Sequence, residues 1–361
     1  MAIFTDVFED VTKQGRKLPT NMYLDEGLFP IIDQGQNQVA GYTNETDGLF
    51  TDMPAIIFGD HTRVIKYVDA PFFLGADGVK VLKTKFPIAN YKYLYYALCS
   101  AHIPNTGYNR HFKWLKEIVI PDFSEREQAD IVSRLENIDD LISLHRQQLA
   151  KLDELVKSRF IELFGDMAHS RNKVYLEEIS DFVTVGIANS ATHAYADSGI
   201  VMLRNQNIKE NYLDENDLIY ITPDFAQKYS SKQLAENDIL VIRTGYPGVA
   251  CLVPKKYEGC QTFTTLIVRL KDATLAHANY VCHYINSSFG KDYVEQSKVG
   301  VAQQNFGAKA LAKMPIVVPH MELQKQFATF VEQTDKSKLA IQESLAKLET
   351  LKKSLMQQYF G

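Results

Sequence analysis

Two long stretches of the chain carry apolar residues at the alternating three- and four-residue spacing of a helix that packs along a narrow seam. In the central stretch the seam positions are Ile131, Leu135, Ile138, Ile142, His145, Leu149, Leu152 and Val156. In the C-terminal stretch the pattern is similar but weaker, with positions Val331, Thr334, Lys338, Ile341, Leu345, Leu348 and Leu355. The sequence therefore predicts two coiled-coil helices, one in the middle of the chain and one at its end.

Residues that start or stop helices mark the ends of both stretches. Ser124 and Glu127, just after Pro121, fit a capping box that begins the first helix near residue 124. Gly165 and Gly361 are typical helix stops. Each helix would then have about 40 residues and a length on the order of 60 Å.

The two helices are copies of one sequence. Residues 149–165 read LAKLDELVKSRFIELFG and residues 345–361 read LAKLETLKKSLMQQYFG, so nine of seventeen positions are identical without a gap. An internal repeat of this kind indicates that the chain is built from two equivalent parts.

The similarity extends upstream of the helices. Pro121 aligns with Pro319, and Gln128 with Gln326. The matching segments occur in the same order in both halves: 6–12 with 178–184, 27–36 with 199–208, 91–100 with 279–288, and 118–132 with 316–331. Each half therefore reads as a globular domain, a strand that ends in I-V-x-P, and a long helix.

A narrow apolar stripe has to be buried, and the other copy is its economical partner. Because each helix follows an equivalent domain, we expect the pair to run antiparallel. Two like domains would lie at opposite ends of this coiled-coil spacer, with approximate twofold symmetry. The alternative is an ordinary pair of core helices. It is disfavoured because a single core does not require domain and helix to repeat together.

Both globular halves predict mixed α/β domains rich in strands, so the expected fold class is α+β. Strand pairs are predicted at 55–68, around a Gly59-Asp60 turn, and at 238–254, around a Thr244-Gly245 turn. Further elements are a strand at 262–270 and aromatic helices at 89–98 and 277–289. The positions of the first aromatic helix that we expect to face the core are Tyr91, Leu94, Tyr95 and Leu98.

Composition narrows the classes of function. The 361 residues are 45% apolar, enough for more than one core. No apolar run approaches the roughly 20 residues that cross a bilayer, and the first residues lack a signal-peptide pattern, so no membrane is expected. The scattered cysteines (Cys99, Cys251, Cys260 and Cys282) fit a reducing cytoplasm and indicate no metal site. The net charge of −5 on its face disfavours nucleic acid as a partner.

Motifs of known enzyme classes are missing from the sequence. It contains no GxxxxGK[ST] loop, no GxGxxG after a strand, no HExxH and no GxSxG. The Asn/Asp-Pro-Pro-aromatic motif of amino-methyltransferases is also missing, and the histidines follow no metal-ligand spacing. We therefore expect a recognition protein without a catalytic centre or cofactor.

The I-V-x-P strand end, the glutamine-containing helix start and LAKLDELVKSRFIELFG resemble the conserved regions of type I restriction-modification specificity subunits. The resemblance covers essentially the whole chain. It implies target recognition domains at 1–121 and 166–319, and conserved spacer helices at 122–165 and 320–361. It also implies that each domain reads one half of a bipartite, asymmetric site in double-stranded DNA.

The resemblance further implies partners for this chain. The helices would set the spacing of the half-sites and dock two modification (methyltransferase) subunits that methylate adenines. Restriction subunits, which carry the translocase and nuclease, would join the full complex. Two other hypotheses stay open: the specificity subunit of another bipartite-site system, such as type IIB, and a coiled-coil scaffold that spaces two protein-binding domains.

Polar, basic and aromatic residues of loops are the expected DNA contacts, because such side chains reach base edges and phosphates. In the first domain they are Gln34, Gln36, Asn37, His61, Thr62, Arg63, Tyr108, Asn109, Arg110, His111 and Lys113. In the second domain they are Arg204, Asn205, Gln206, Asn207, Arg243, Thr244, Tyr246, Gln303, Gln304, Asn305 and Lys309. Neither domain is globally basic, so local patches and the modification subunits are expected to supply much of the affinity.

Overall fold

Each half of the sequence folds into a mixed α/β unit, as the repeat predicts. The structure is a computed structural model that describes residues 1–75, 77–107, 109–165, 173–188, 192–271, 275–298 and 305–361. Unit 1 comprises Met1–Gln147 with Gln342–Gly361, and unit 2 comprises Gln148–Ile341. Each unit therefore contains part of both long helices.

The strands of unit 1 form one four-stranded sheet and two smaller ones within the described residues. They are β1 Ala2–Ile3, β2 Phe8–Asp10, β3 Phe29–Ile32, β4 Gly41–Thr43, β5 Ala55–Gly59, β6 Ile65–Val68, β7 Phe73–Leu74, β8 Val79–Thr84 and β9 Val119–Ile120. The largest sheet has the order β2-β8-β5-β6 and is antiparallel throughout. A second sheet has the order β4-β3-β7, in which β3 and β7 are parallel, and β1 pairs with β9.

The strands of unit 2 repeat this topology. They are β10 Lys173–Tyr175, β11 Ser180–Val185, β12 Tyr195–Ala196, β13 Ile200–Leu203, β14 Ile208–Lys209, β15 Tyr212–Leu213, β16 Ile219–Ile221, β17 Ile239–Val241, β18 Ala250–Leu252, β19 Gln261–Thr262, β20 Leu266–Leu270 and β21 Pro315–Val317. The sheet β11-β20-β17-β18 corresponds to β2-β8-β5-β6 of unit 1. The parallel pair β13 and β19 corresponds to β3 and β7, and β10 pairs with β21 as β1 pairs with β9. The internal repeat is thus confirmed for the order of the shared strands, whereas β12 and the pair β14-β15 have no counterpart among the described strands of unit 1.

Two helices of 40 residues dominate the helical content of the described chain. The α-helices are α1 Phe4–Val7, α2 Tyr91–Ser100, α3 Phe112–Leu115, α4 Glu125–Phe164, α5 Pro223–Lys228, α6 Ala278–Asn286, α7 Ser288–Ser297, α8 Ala308–Ala312 and α9 Met321–Phe360. The Ser124 N–H and hydroxyl donate to the Glu127 carboxylate at 2.9 and 2.7 Å, so the predicted capping box begins α4. The predicted lengths and both glycine stops are confirmed.

Within each unit the segments of α4 and α9 run antiparallel. In unit 1, Lys352 pairs with Asp139, and His145 bonds to Ser344 at 2.9 Å. In unit 2, Lys338 pairs with Asp153 at 2.6 Å, and the rings of Phe160 and Phe327 lie 5.4 Å apart. As residue numbers rise along α4, the numbers of the contacting residues on α9 fall. The two segments are therefore antiparallel, as the seam pattern predicts.

The predicted seam residues are the buried stripe of both helices. Every seam position named from the sequence is buried or half-buried, and its neighbours on the outer face are exposed. Lys338 is the one cation at a seam position, and it bonds to Asp153 at 2.6 Å and Asp335 at 3.5 Å. These ion pairs compensate for the half-burial of the ammonium group, since an unpaired charge there would be costly.

The repeat follows a different register from the one that its prolines suggest. Gln128 Nε2 donates to the Phe123 carbonyl at 2.9 Å, and Gln324 Nε2 donates to the Pro319 carbonyl at 2.8 Å. Both bonds reach back five positions from the glutamine. Gln324, and not Gln326, is therefore the equivalent of Gln128, and the alignment through the prolines is wrong by two positions.

With the corrected register, equivalent residues just upstream of the helices are 196 positions apart, as they are within the helices. Leu115 and Leu311 are both fully buried in their units. The same register aligns Asn109 with Asn305. These two asparagines lie in the loops that the sequence nominates for DNA contact.

The aromatic helices differ from the prediction in detail. In α2, Leu94 is buried as expected, but Tyr93 and Tyr96 are more deeply buried than Tyr91 and Tyr95. The Tyr93 hydroxyl donates to the Pro121 carbonyl at 2.7 Å and the Tyr96 hydroxyl to Asp139 at 2.9 Å. These bonds give both phenol hydroxyls a hydrogen-bond partner, which explains why two tyrosines can be buried on this face of α2.

The aromatic helix predicted at 277–289 is confirmed as α6 for residues 278–286, but its predicted end is wrong, because a second helix, α7, begins at Ser288. The break falls at Ser287, whose hydroxyl donates to the Tyr284 carbonyl at 2.6 Å and accepts from the Gly290 N–H at 3.5 Å. Ser287 thus ends one helix and caps the next.

In the part of the chain that the structure describes, no helix combines the length and apolar character needed to span a bilayer. The same residues contain no group of three or more histidine, cysteine, aspartate or glutamate side chains arranged to hold a metal ion.

A buried histidine makes the stability of unit 2 depend on pH. The His283 ring packs edge-on to Phe327 at 5.0 Å, and its burial, helped by Lys338 and Lys157, lowers its pKa to about 3. In the unfolded chain histidine has a pKa of about 6.5. As the pH falls from about 6.5 towards about 3, only the unfolded chain binds this proton, so the unfolding free energy should fall by up to about 1.4 kcal/mol per pH unit.

Urea unfolding of wild type and His283→Gln at pH values between about 7 and about 5 tests this linkage. The variant should be less stable near neutrality and show a flatter pH dependence. His193→Gln, which removes an exposed histidine of the same unit, should keep the wild-type slope. Equal slopes for wild type and His283→Gln would contradict the assignment.

Candidate nucleic-acid interface

Three separate stretches of unit 1 that the sequence nominates meet in the structure. Residues 33–37 follow β3, residues 60–63 form the turn between β5 and β6, and residues 103–113 lead into α3. Hydrogen bonds connect all three, so residues far apart in the sequence form one surface.

Gln34 joins the first stretch to the second. Its Nε2 donates to the Asp77 carbonyl at 3.0 Å, and its Oε1 accepts from the His61 N–H at 3.1 Å. Its main-chain carbonyl accepts from the Thr62 hydroxyl at 2.6 Å. The amide packs so closely on Gly78 that a Cβ there would lie 2.6 Å from the Gln34 Oε1 atom. The side chain of Gln34 is therefore used to hold the turn in place.

Asp60 and His111 join the second stretch to the third. The Asp60 carbonyl accepts from the His111 N–H at 2.8 Å and lies 2.9 Å from its ring Nδ1, and the Asp60 carboxylate accepts from the Phe112 N–H at 2.7 Å. His111 Nε2 lies 3.3 Å from the Thr106 hydroxyl. His111 is fully buried, so this nominated residue supports the loop from beneath and offers no surface to a ligand.

Other bonds complete the arrangement. His61 Nδ1 lies 3.2 Å from the Asn109 carbonyl, and Arg63 donates to the Ile103 carbonyl at 3.2 Å. Arg63 adopts a left-handed backbone conformation with a φ of 63°, which turns the chain sharply after Thr62. The turn is therefore held from two sides.

Removing the Asp60 carboxylate should loosen the third stretch. In Asp60→Ala the half-buried Phe112 N–H loses its acceptor, and we expect a loss of about 1–3 kcal/mol in the unfolding free energy. Amide hydrogen exchange at Phe112 should accelerate. Asp25→Ala, which truncates an exposed aspartate of the same unit, is the matched control. Unchanged exchange at Phe112 would show that the carboxylate does not hold the loop.

Exposed side chains remain around this framework. The nominated residues exposed on it are Gln36, Asn37, Thr62, Asn109, Arg110 and Lys113. The Lys113 ammonium lies 4.7 Å from the centre of the half-buried Trp114 ring. Tyr108 lies outside the described residues. The surface therefore offers amide groups and cations, the donors and acceptors that suit base edges and phosphates.

Acidic groups also border this surface. Lys17 donates to the exposed Asp77 carboxylate at 2.9 Å, and this bond, with the nearby Arg110 charge, holds the pKa of Asp77 below its usual value. The buried Lys66 ammonium bonds to the Asn37 carbonyl and lies 3.5 Å from Asp33. Burial lowers the pKa of Lys66. Local pairing of charges thus leaves Arg110 and Lys113 as the exposed cations among the nominated residues.

Unit 2 brings together three stretches in the same topological places. Residues 204–207 follow β13, residues 243–247 lie between β17 and β18, and residues 305–309 lead into α8. Asn205 Nδ2 lies 3.3 Å from both the carbonyl and the hydroxyl of Thr244. Arg243 Nε donates to Asn305 Oδ1 at 3.0 Å, and Thr244 forms an antiparallel bridge with Asn305.

Asn207 is a second nominated residue that the structure buries. Its Oδ1 accepts from the Arg204 N–H at 3.0 Å, and its Nδ2 donates to the carbonyls of Asp214 and Asn216 at 3.0 and 2.9 Å. All of its polar groups are engaged in shaping the 204–216 loop. Asn207 therefore supports the surface without forming part of it.

Two polar atoms beside Asn207 are buried without a hydrogen-bond partner among the described residues. They are Arg204 Nε and Asn205 Oδ1. Such atoms cost about 1–3 kcal/mol each when nothing pairs with them.

The tip of the 243–247 turn projects from unit 2. Gly245 and Gly248 have positive φ angles of 87° and 95°, and between them Tyr246 is 82% exposed. Gln206 and Lys309 are also exposed, and neither is bonded to the turn. Gln303 and Gln304 lie outside the described residues.

The same framework holds a turn in both units. A residue after β3 or β13 bonds to it from one side: Gln34 in unit 1 and Asn205 in unit 2. The aligned asparagines, Asn109 and Asn305, bond to it from the other side. Sequence reasoning missed Asp60 as a loop anchor. Its place in a Gly-Asp turn, where short acidic side chains bond to nearby N–H groups, was the available signal.

Comparisons with known proteins agree with this geometry. A family model described as "Type I restriction modification DNA specificity domain" matches residues 4–154 and 172–353. The EcoR124I/EcoR124II type I restriction enzyme specificity subunit of Escherichia coli is 24% identical over 368 residues, covering 93% of this chain and 87% of that protein.

Two solved structures share the fold. The crystal structure of a type I restriction-modification S subunit from M. genitalium matches with a TM-score of 0.59 and 16% identity, over 100% of this chain and 95% of that one. A structure from work on complex assembly and conformational transition of the type I R-M system matches with a TM-score of 0.54 and 15% identity, over 100% and 99% of the two chains.

Proposed function

Because the chain belongs to the type I restriction-modification DNA specificity family, we propose that its two recognition domains each read one half of a bipartite DNA target. Residues 1–121 and 166–319 are the proposed domains. The observation that carries this proposal is an arrangement found in both units. In each, hydrogen bonds hold a turn from two sides, and exposed amide groups and cations surround it. Two like frameworks with different side chains suit an asymmetric target read as two different half-sites.

Exposed and half-buried side chains of each framework are the proposed contacts. In unit 1, Arg110 and Lys113 are suited to phosphates, and Gln36, Asn37 and Asn109 to base edges. In unit 2 the corresponding groups are Lys309 for phosphate and Gln206, Arg243, Thr244 and Tyr246 for bases. His111, Asn207, Gln34 and Asn205 hold the loops.

The long helices are the proposed docking surface for two modification subunits and the element that sets the gap between half-sites. Leu141 and Leu144 of α4 and Leu351 of α9 are 43%, 48% and 48% exposed within unit 1, although the rest of the exposed helix surface there is mostly polar or charged. Exposed leucines at this density support contact with protein.

The chain is a DNA-recognition component, and we propose that it has no catalytic centre of its own. Methylation of adenine would be carried out by the modification subunits, and cleavage and translocation by restriction subunits, all in the cytoplasm. The proposal is supported by the match to a DNA specificity domain and by frameworks whose described polar groups hold the loops in place.

Methylome sequencing of the host with and without this gene tests the proposal. Deletion should remove adenine methylation at one interrupted, asymmetric motif and leave other motifs unchanged. Unchanged methylation with the modification partner expressed would contradict it. A complex that protects the motif but cleaves on both sides of it would favour the type IIB alternative, and a chain with no sequence preference in DNA would favour the scaffold.

A further inference from the structure

The side chain of Tyr246 is exposed in a way that packing within unit 2 does not explain. It is 82% exposed, more than the other large apolar or aromatic side chains described for this unit. Tyr212, the next most exposed tyrosine of unit 2, has 61% of its surface exposed and lies in β15, outside the three loops. A single exposed ring is common on protein surfaces. Tyr246 is distinguished by its place at the tip of the turn that Asn205 and Asn305 contact from two sides.

The turn that carries Tyr246 is held firmly. Before it, Arg243 bonds to Asn305 at 3.0 Å and Thr244 lies 3.3 Å from Asn205 Nδ2. After it, Gly248 packs so closely on Val294 that a Cβ there would lie 2.8 Å from the valine methyl carbons. The backbone that carries the ring is therefore held in place, so a partner that covers Tyr246 does not have to order the turn itself.

The neighbours of Tyr246 restrict what that partner can be. The same turn is bordered by Arg243, Asn205 and Asn305, side chains that suit the hydrogen-bonding edges of bases. An intact duplex covers the flat faces of its bases by stacking. At the base edges of the grooves, the apolar group that remains accessible is the 5-methyl group of thymine, in the major groove.

We propose that Tyr246 reads the 5-methyl group of a thymine in the half-site that unit 2 recognises. This inference rests on the proposed function and adds a specific determinant to it. The corresponding turn of unit 1 carries Asp60, His61, Thr62 and Arg63 and no phenylalanine, tyrosine or tryptophan. The requirement for a thymine methyl group should therefore be confined to one half of the target.

The test uses the complex of this chain with its modification subunits and short duplexes that contain the mapped target. Each thymine of the target is replaced in turn by deoxyuridine, which differs only by the lost methyl group. For the wild-type complex, one such replacement in one half-site should lower kcat/KM for methylation by roughly fourfold, the value of one buried methyl group.

Variants at Tyr246 tie that loss to the ring. In Tyr246→Ala, kcat/KM on the thymine duplex should fall and the sensitive deoxyuridine replacement should have no further effect. Tyr246→Phe should retain the wild-type sensitivity, because it keeps the ring. Tyr212→Ala, the matched control for an exposed tyrosine of the same unit, should also retain it.

Several outcomes would overturn the inference. One is a wild-type complex indifferent to every thymine replacement, and another is full sensitivity retained in Tyr246→Ala. A third concerns duplexes that lack the base opposite the target adenine. If the Tyr246→Ala defect disappears on these duplexes, the ring acts on an unstacked base and does not read a thymine methyl group. Failure of the wild-type complex to methylate any bipartite target would instead refute the proposed function, and this inference with it.

Discussion

Replacing Phe327 with alanine should lower the unfolding free energy by about 3–5 kcal/mol, the usual cost of removing a fully buried phenylalanine. The Phe327 ring lies 5.4 Å from Phe160, 5.7 Å from Phe164 and 5.0 Å from His283, measured between ring centres. It therefore joins the unit 2 segments of α4 and α9 to α6. Its truncation leaves a cavity among three rings, and rigid helices around it cannot collapse to fill the space.

Phe330, on the same helix, is the matched control. It is half-buried, and its ring faces the Arg159 guanidinium at 6.0 Å. Phe330→Ala should cost clearly less than Phe327→Ala in urea unfolding followed by circular dichroism. Similar losses for the two variants, or a loss below about 1 kcal/mol for Phe327→Ala, would show that the aromatic cluster does not hold the helix segments together.

Shortening both long helices by one facing heptad should abolish methylation of the original target and create a new one. Residues 142–148 and 342–348 are suitable, because His145 and Ser344 are bonded to each other and the seam keeps its period when seven residues are removed. Seven residues span about 10 Å along a helix, close to three base pairs. If the helices set the gap as we propose, the half-sites should be retained and the gap should shorten by about three base pairs.

Deletion of residues 142–148 alone is the control. It keeps the seam period of α4 but leaves α9 one heptad longer than its partner, so contacts on one side of the deletion are lost, and we expect lower stability and no methylation. Methylome sequencing of strains carrying each variant reads out both the half-sites and the gap. A double deletion that keeps the original gap would refute the role of the helices as spacer, and one that changes the half-sites would place base recognition partly on them.

The parts of the fold that follow from short-range periodicity were predictable from the sequence. The seam residues, the Ser124–Glu127 cap, the glycine stops and the paired strands around Gly59-Asp60 all depend on residues within a few positions of each other. The repeat itself added the antiparallel pairing, because two equivalent halves constrain each other.

Features set by distant contacts were not predictable. Parallel pairing of β3 with β7 joins Ile31 to Phe73, and no local pattern records it. The burial of His111 depends on the Asp60 carbonyl, which lies 51 positions away in sequence. The register error at Gln326 arose because prolines gave an alignment that looked ungapped, whereas the side-chain bonds of Gln128 and Gln324 reveal the correct one.

Among the nominated residues, sequence reasoning chose the right loops and could not assign the tasks within them. Polarity alone does not distinguish Asn207, whose amide is used up inside its own loop, from Gln206, which is exposed. The difference comes from the fold of the 204–216 loop, in which neighbouring carbonyls converge on Asn207.

The chain contains one tryptophan, Trp114, and it stands at the edge of the unit 1 surface, under the Lys113 ammonium. A lysine drawn towards a phosphate would leave that indole, and a cation close to an indole changes its emission. Trp114 is therefore an intrinsic fluorescence probe that is present in unit 1 and absent from unit 2. Titration with DNA that bears a single half-site would then show, without labels, which half belongs to which unit.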